Sequence, residues 1–259
     1  MASKIALIGY TGFVGSTLLS QTEFDLTFNR ANIDELDGQS LDLLVCAGAP
    51  AAKWIANKEP EEDIANVRTL MGHLETVQAE RLLLVSTVDV YRVPIDVDET
   101  TPIDRDATDP YGRHRYDLEV FVRERFPHAV ILRLPGLFGK GLKKNFIYDL
   151  LNGNALDFTH RDSVLQWYDM SRLWDDASKC LAAGTPLVNF AVEPVSCQAI
   201  ANQAFGIDFQ NVTERPPVNY DMHTVHADLF GQTGPYMMDA VEVLDRISKY
   251  VAGEKASQE

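Results

Sequence analysis

Residues 4–21, KIALIGYTGFVGSTLLSQ, set the architecture. Lys4 to Ile8 is a short apolar run rich in branched residues, and glycines punctuate the next stretch before STLLSQ resumes with helical character. The reading is strand, tight turn, helix. Gly9, Gly12 and Gly15 stand at that junction in a GxxGxxG spacing, which differs from the commoner GxGxxG. Glycine there lets the backbone turn sharply and approach a pyrophosphate, which would sit at the positive end of the helix dipole. Mere turn punctuation is the bland alternative; the position after the very first strand counts against it.

Working outward, FDLTF (24–28) reads as a short second strand, and LDLLVCAGAP (41–50) as a buried strand running into a small-residue loop. Parallel strands covered on both faces lose the alternation of a half-buried strand, which explains the unbroken apolar run. Residues 61–79 carry Ile64, Val67, Leu70, Leu74 and Val77 at helical spacing. RLLLVSTVDVY (81–91) returns as a buried strand. After it come a polar, proline-containing loop (92–110), a helix over 112–126 and a strand at HAVILRL (128–134) ending in PGLFG. This alternation predicts a doubly wound parallel α/β sheet, Rossmann-like, with helices on both faces. Beyond Gly139 the pattern loosens into candidate helices at 143–153, 195–206 and 240–251 and one strand at VNFAV (188–192). The expected organisation is a dinucleotide-binding domain over 1–140 and a smaller substrate-binding region over 141–259 that partly rejoins the sheet.

The chain has 259 residues, enough for a substantial core, with a net charge of −15 and a pI near 4.7. That charge argues against nucleic acid or an anionic membrane as partner. Cys46, Cys180 and Cys197 form no CxxC pair and no zinc-like spacing with histidine, so neither disulfides nor a structural metal is expected. No apolar run reaches membrane-spanning length, and the amino terminus runs into the first strand without a leader. A reducing cytoplasm is the expected compartment.

In order, IGYTGFVGSTL, VCAGAP, ANVRTLMGHLE, LLLVSTVDVY, PYGRHRYDLE and ILRLPGLFG resemble the extended branch of the short-chain dehydrogenase/reductase superfamily, the nucleotide-sugar epimerases, dehydratases and reductases. The likeness covers roughly the first 140 residues, with a later echo in LQWYDMSRLWDDASKCL. It implies an NAD(P) cofactor. Gly9, Thr11, Gly12, Phe13, Val14 and Gly15 would surround the pyrophosphate, and Ala47, Gly48 and Ala49 would lie beside the adenine ribose. Ser86, Pro135 and Gly136 would complete the cofactor's contacts, the last two along the nicotinamide. After the second strand the family places an acid for NAD or a base for NADP. Here Asn29 and Arg30 stand there, and Arg30 would pair with a 2′-phosphate. NADP is therefore favoured over NAD, with a plainly solvated arginine as the alternative.

The resemblance also implies a catalytic hydroxyl at Thr87 and a Tyr-x-x-x-Lys pair, of which Tyr111 is the tyrosine. Arg115 replaces the lysine. A phenol with a reference pKa of about 10 needs nearby positive charge to serve as a base at neutral pH, and a spacing of four residues puts that charge on one helix face. Arg115 supplies it permanently but cannot relay a proton as an amine can; it would also hold the ribose hydroxyls, so that Tyr111 and Arg115 count among the cofactor contacts as well. The alternative for Arg115 is a surface ion pair with Glu119, in a chain that binds cofactor without catalysis. The family's dehydratases carry Asp-Glu directly after the threonine; Val88 and Asp89 stand there instead, which lowers that reaction below epimerase or reductase. Asp89 is a candidate acid or base, or a solvated carboxylate. The family's substrate-binding asparagine after the sixth strand's arginine is Gly136 here. Gln166, Trp167 and Tyr168 are candidates to hold a sugar or nucleotide-sugar, or are core. His223 and His226 lack a matched ligand set for metal. The function expected is an NAD(P)-dependent oxidoreductase or epimerase transferring hydride at a carbinol or carbonyl carbon; its rival is a catalytically weakened cofactor-binding regulator. The stripe Leu118, Phe121, Val122 would face either a homodimer partner or the chain's own sheet.

Overall fold

A computed structural model describes residues 4–257. In chain order it contains β1 (Ile5–Ile8), α1 (Phe13–Gln21), β2 (Leu26–Phe28), β3 (Ser40–Cys46), α2 (Lys53–Lys58), α3 (Pro60–Thr76), β4 (Gln78–Thr87), β5 (Ile95–Val97), α4 (Pro110–Arg125) and β6 (Ala129–Leu134). Then come β7 (Gly136–Phe138), α5 (Phe146–Asn152), β8 (Val164–Leu165), β9 (Trp167–Asp169), α6 (Leu173–Ala183), β10 (Leu187–Asn189), β11 (Val195–Ser196), α7 (Cys197–Phe205), β12 (Asp221–Met222) and α8 (Ala240–Ala256). The chain forms two compact units: one up to Arg92 with Thr101–Leu134 and Leu173–Val188, the other made of Val93–Thr100, Pro135–Arg172 and everything from Asn189 on.

The first unit is built on a six-stranded sheet in the order β10-β6-β4-β3-β1-β2. The pairings of β1 with β2 and β3, of β3 with β4 and of β4 with β6 are all parallel, with Ile8 opposite both Phe28 and Cys46. Parallel pairing requires helical crossovers that cover both faces, hence the apolar runs in the sequence of these strands. On one face Ala6, Ile8, Leu44, Leu82, Leu84 and Ile131 pack with Val67, Leu70 and Leu74 of α3 and with Leu118 and Val122 of α4. Each of the Leu, Ile and Val side chains among them, fully buried, contributes about 1.5–3 kcal/mol relative to exposure. Phe121 packs against the same cluster, so the α4 stripe serves the chain's own core.

Between β2 and β3 there is no crossover helix, only a single turn of 3₁₀ helix at Ile33–Leu36 whose Leu36 is buried. β2 is the edge of the sheet, and β1 lies between β2 and β3. Successive connections leave β1 in opposite directions, and in open α/β sheets such a switch point opens a crevice at the carboxyl ends of the strands.

The second unit is assembled from small pairs: β12 beside β5 and β7 beside β9, both parallel, and β11 antiparallel to β8. Rings hold it together, with Tyr168 against Phe190 (centroids 5.1 Å apart), Phe190 against Phe230 (5.9 Å) and Phe138 against Tyr250 (5.7 Å). No described helix is long and apolar enough to cross a membrane.

Candidate active site

The glycine junction lies at the switch point. Gly9 follows β1 with φ of 86°, and a Cβ there would lie 2.3 Å from the Ala47 carbonyl oxygen just after β3. A Cβ on Gly15 would lie 2.1 Å from the Gly9 carbonyl oxygen, so α1 sits directly on the turn. Any side chain at either place would force backbone apart. Gly9 donates from its N–H to the Phe28 carbonyl (2.7 Å) and Gly12 donates to the Gly9 carbonyl (3.0 Å). α1 starts at Phe13 after Gly12, without a side-chain cap and without an acidic residue in its first turn. An anion placed there meets the helix's positive end and backbone N–H groups, an arrangement that fits a dinucleotide pyrophosphate beside Thr11, Phe13 and Val14.

Beyond β2, Asn29 donates from Nδ2 to the Tyr10 hydroxyl (2.9 Å), and its Oδ1 accepts from the Ala31 N–H. Arg30 is exposed, with one guanidinium contact to Asn66 at 3.2 Å. Ala47, Gly48 and Ala49 follow the end of β3, next to the glycine turn.

The second cluster sits where β4 meets α4. Pro110 opens α4, fixing the first turn, and Tyr111 donates its backbone N–H to Asn57 Oδ1 (2.9 Å). A Cβ on Gly112 would lie 1.8 Å from the Asp89 carbonyl oxygen, so only glycine lets α4 touch the turn after β4. That approach gathers Thr87, Asp89 and Tyr111. The Asp89 N–H donates to Thr87 Oγ1 (3.2 Å), the Thr87 hydroxyl reaches Asp89 Oδ2 (3.4 Å), and Lys53 Nζ of α2 donates to Asp89 Oδ1 at 2.7 Å. Tyr111 is almost fully buried. Burial pushes its phenol above the usual value and Asp89's charge adds to this; Arg115, Lys53 and a hydrogen bond from Thr87 pull it back.

Arg115 is neither exposed nor paired with Glu119. Its guanidinium carbon lies 4.1 Å from the centroid of the Tyr111 ring. Nη2 donates to Asp63 Oδ1 (2.9 Å) and to the Pro50 carbonyl, while Nη1 donates to Asp63 Oδ2 and to the Tyr111 carbonyl (3.2 Å). Nε is buried with no partner among the described residues. His114 Nδ1 shares Asp63 Oδ2 at 2.8 Å. Burial opposes charge on Asp63, but the hydrogen bonds from Arg115 and His114 outweigh it and hold the carboxyl below its ordinary range.

Glu119 has other partners. Fully buried, it accepts from the Ser86 hydroxyl (2.5 Å), from Arg133 Nε (3.0 Å) and Nη2 (2.6 Å), and from Arg123 (3.3 Å), while Arg133 Nη1 donates to the Tyr91 hydroxyl (2.7 Å). Ser86 thus spends its hydroxyl beneath the site.

In the second unit, Pro135 precedes β7 and Gly136 pairs with Trp167 across β7 and β9. A Cβ on Gly136 would come within 2.7 Å of the Gln166 carbonyl oxygen, which explains why no asparagine stands there. The Gln166 side chain is spent on backbone: Nε2 donates to the Val192 and Met222 carbonyls (2.6 and 2.7 Å), and Oε1 accepts from the Met222 N–H (2.8 Å). Trp167 and Tyr168 are buried with it, the indole N–H without a partner among the described residues. His223 stands beside Asp221 (3.3 Å) and the exposed Asp96, with Asp221 and His223 half-buried and the Tyr236 hydroxyl donating to Asp221 (2.6 Å).

No family model and no curated protein sequence matches the chain. Solved structures do. The dTDP-4-dehydrorhamnose reductase from Bacillus anthracis, in complex with NADP, is similar over 98% of this chain and 99% of that one, with a TM-score of 0.76 at 18% identity. The UDP-N-acetylglucosamine 4-epimerase from Methanobrevibacter ruminantium, in complex with UDP-N-acetylmuramic acid, gives 0.73 at 14% identity over 98% and 99%. An NAD-dependent NDP-hexosamine 5,6-dehydratase involved in tunicamycin biosynthesis gives 0.72 at 15% identity over 98% of each chain. The chain has the fold of the extended short-chain dehydrogenase/reductases.

Within that fold, five residues carry the site's electrostatics: Lys53 and Asp63 lie outside every motif read in the sequence, and His114, Glu119 and Arg133 lie inside quoted stretches that did not reveal their buried partners. Two left a signal. Asp63 stands on the buried stripe of α3 with Val67, Leu70 and Leu74, and Glu119 on that of α4 between Leu118 and Val122. A carboxylate on an apolar stripe must have a buried counter-charge. Lys53 gave no such sign, because its partner is 36 residues away.

Proposed function

We propose that the chain is an NAD(P)-dependent enzyme acting by hydride transfer at a carbinol or carbonyl carbon of a sugar or nucleotide-sugar, as epimerase or reductase. The observation that carries this is the convergence of Thr87, Asp89 and Tyr111 at the end of β4, in the same unit as a glycine turn with room for backbone but not for a side chain. Gly9, Gly12, Gly15 and the first turn of α1 would hold the dinucleotide's phosphates, with Ala47, Gly48 and Ala49 beside its adenosine half and Pro135 and Gly136 assigned to the nicotinamide end. The dinucleotide would supply the carbon-bound hydride acceptor or donor. Tyr111 as phenolate takes the proton from the substrate hydroxyl during oxidation and returns it during reduction; Thr87 donates a hydrogen bond to the same oxygen. Arg30 favours NADP through its exposed guanidinium at the end of β2. Val88 is buried and carries no proton, so elimination of water lacks one of its groups.

The second reading, a cofactor-binding regulator, draws on the commitment of Arg115 to Asp63. Incubation with reduced dinucleotide and a panel of nucleotide-sugars decides between them. Turnover lost in Tyr111→Phe with dinucleotide binding retained supports the enzyme; tight binding without turnover of any sugar supports the regulator.

A further inference from the structure

The Tyr111 phenol has a fixed cation beneath its ring, and a second cation reaches it by a different route. Both Nη atoms of Arg115 are tied to the Asp63 carboxylate and to backbone. Lys53 comes from a different element, the first position of α2. Its Nζ is 2.7 Å from Asp89 Oδ1, the other oxygen of that carboxylate meets the Thr87 hydroxyl, and the Asp89 carbonyl lies against Gly112, the residue after Tyr111 on α4. Lys53 is 44% exposed, whereas Arg115 is 3% exposed. One end of this group of polar residues is therefore in solvent and the other against the first turn of the helix that carries the buried phenol.

We infer that Lys53 is a positioning residue that replaces the missing lysine of the Tyr111 helix in space: clamped to Asp89, it neutralises that carboxylate and so sets the ionisation of Tyr111. The inference rests on the proposed function above for its catalytic meaning, though not for its test. The charged and titratable groups around the phenol are Arg115 of the same helix, Asp63 of α3 behind it, His114 beside Asp63, Asp89 of the turn after β4, and Lys53 of α2. Of these, only Asp89 opposes the phenolate directly, and Lys53 is its salt-bridge partner. Losing the Lys53 charge leaves Asp89 uncompensated next to the phenol, which disfavours phenolate and moves its titration to higher pH. Losing both charges restores the balance.

The test installs a fluorinated tyrosine at position 111 of the full chain and follows its ionisation by fluorine NMR, with no substrate present. Lys53→Met should raise the titration midpoint by about one pH unit; Lys53→Arg should keep it near the parent value; Lys53→Met with Asp89→Asn should bring it back. An unchanged midpoint in Lys53→Met, or an equal rise in Lys53→Arg, overturns the inference. Because the readout needs no turnover, a chain that transfers no hydride still gives it, and failure of the functional reading stays separate. Where turnover is found, the rising limb of its pH profile should move with the same variants and be rescued by Lys53→Arg.

Discussion

Arg115 and Asp63 form a two-pronged buried ion pair, Nη2 to Oδ1 at 2.9 Å and Nη1 to Oδ2, with the two side chains 3% and 6% exposed. This pair joins the helix that carries Tyr111 to the helix α3 and places a guanidinium under the tyrosine ring.

Breaking that anchor from one side should be costly. Asp63→Asn leaves the Arg115 charge buried without its counter-ion, and the loss at neutral pH should be about 3–5 kcal/mol by urea unfolding. The pH dependence has a definite sign. Asp63's folded pKa lies below its ordinary 3.8, so its contribution is complete above that value and is lost as pH falls toward the lowered one. The stability gap between parent and Asp63→Asn should therefore shrink on acidification below about pH 4. A gap that stays constant into acid would contradict the pairing.

The Glu119 and Arg133 pair makes a sharper test through non-additivity. Glu119→Gln strands a buried guanidinium and should cost about 3–5 kcal/mol, whereas Glu119→Leu combined with Arg133→Met should cost less than either charge deletion alone. Denaturant midpoints of Glu119→Gln, Arg133→Met and the double variant check this.

Gly15→Ala puts a methyl 2.1 Å from the Gly9 carbonyl oxygen, in backbone that cannot yield without opening the turn. Stability should fall by about 1–3 kcal/mol and dinucleotide binding should go with it. Gly72→Ala, on α3 with nothing within 4 Å of the new Cβ, should instead gain about 0.5–1 kcal/mol. Calorimetry on the pair separates a steric cradle from a general intolerance of alanine.

The features legible in the sequence are the local ones. The parallel sheet was readable because strands buried on both faces must be apolar throughout, and β3, β4 and β6 each write that run into a few consecutive residues. The glycine turn was readable because its demand on the backbone falls on Gly9 and Gly15 themselves. The wiring of the site was not. Arg115 has Glu119 one turn away and Asp63 at a separation of 52 residues, and the chain's crossing from α3 to α4 decides for Asp63. Lys53 reaches Asp89 for the same reason. The VNFAV run also misled in detail: the paired strand is Leu187–Asn189, and Phe190 beyond it packs its ring on Tyr168. Gln166 looked like a sugar contact because an amide beside aromatics can serve either purpose; its bonds to Val192 and Met222 come from contacts no local pattern reveals.

In the proposed function, Arg30 sets the cofactor choice. Titration should show tighter binding of NADP than of NAD to the parent, and Arg30→Ala should erase the difference while leaving NAD affinity unchanged. Equal affinities in the parent would remove Arg30 from the account.

The proposal that Tyr111 moves the proton while hydride crosses to or from the substrate carbon is tested most directly by isotope transfer. Parent and Tyr111→Phe are each incubated with dinucleotide carrying deuterium at the transferable position and with keto- and hydroxy-forms of nucleotide-sugars, and the sugars are read by mass. The parent should place one deuterium on a carbinol carbon, and Tyr111→Phe should place none while binding the dinucleotide as tightly as the parent. Deuterium transfer by Tyr111→Phe at the parent's rate, or a parent that binds dinucleotide and labels no sugar, would contradict it.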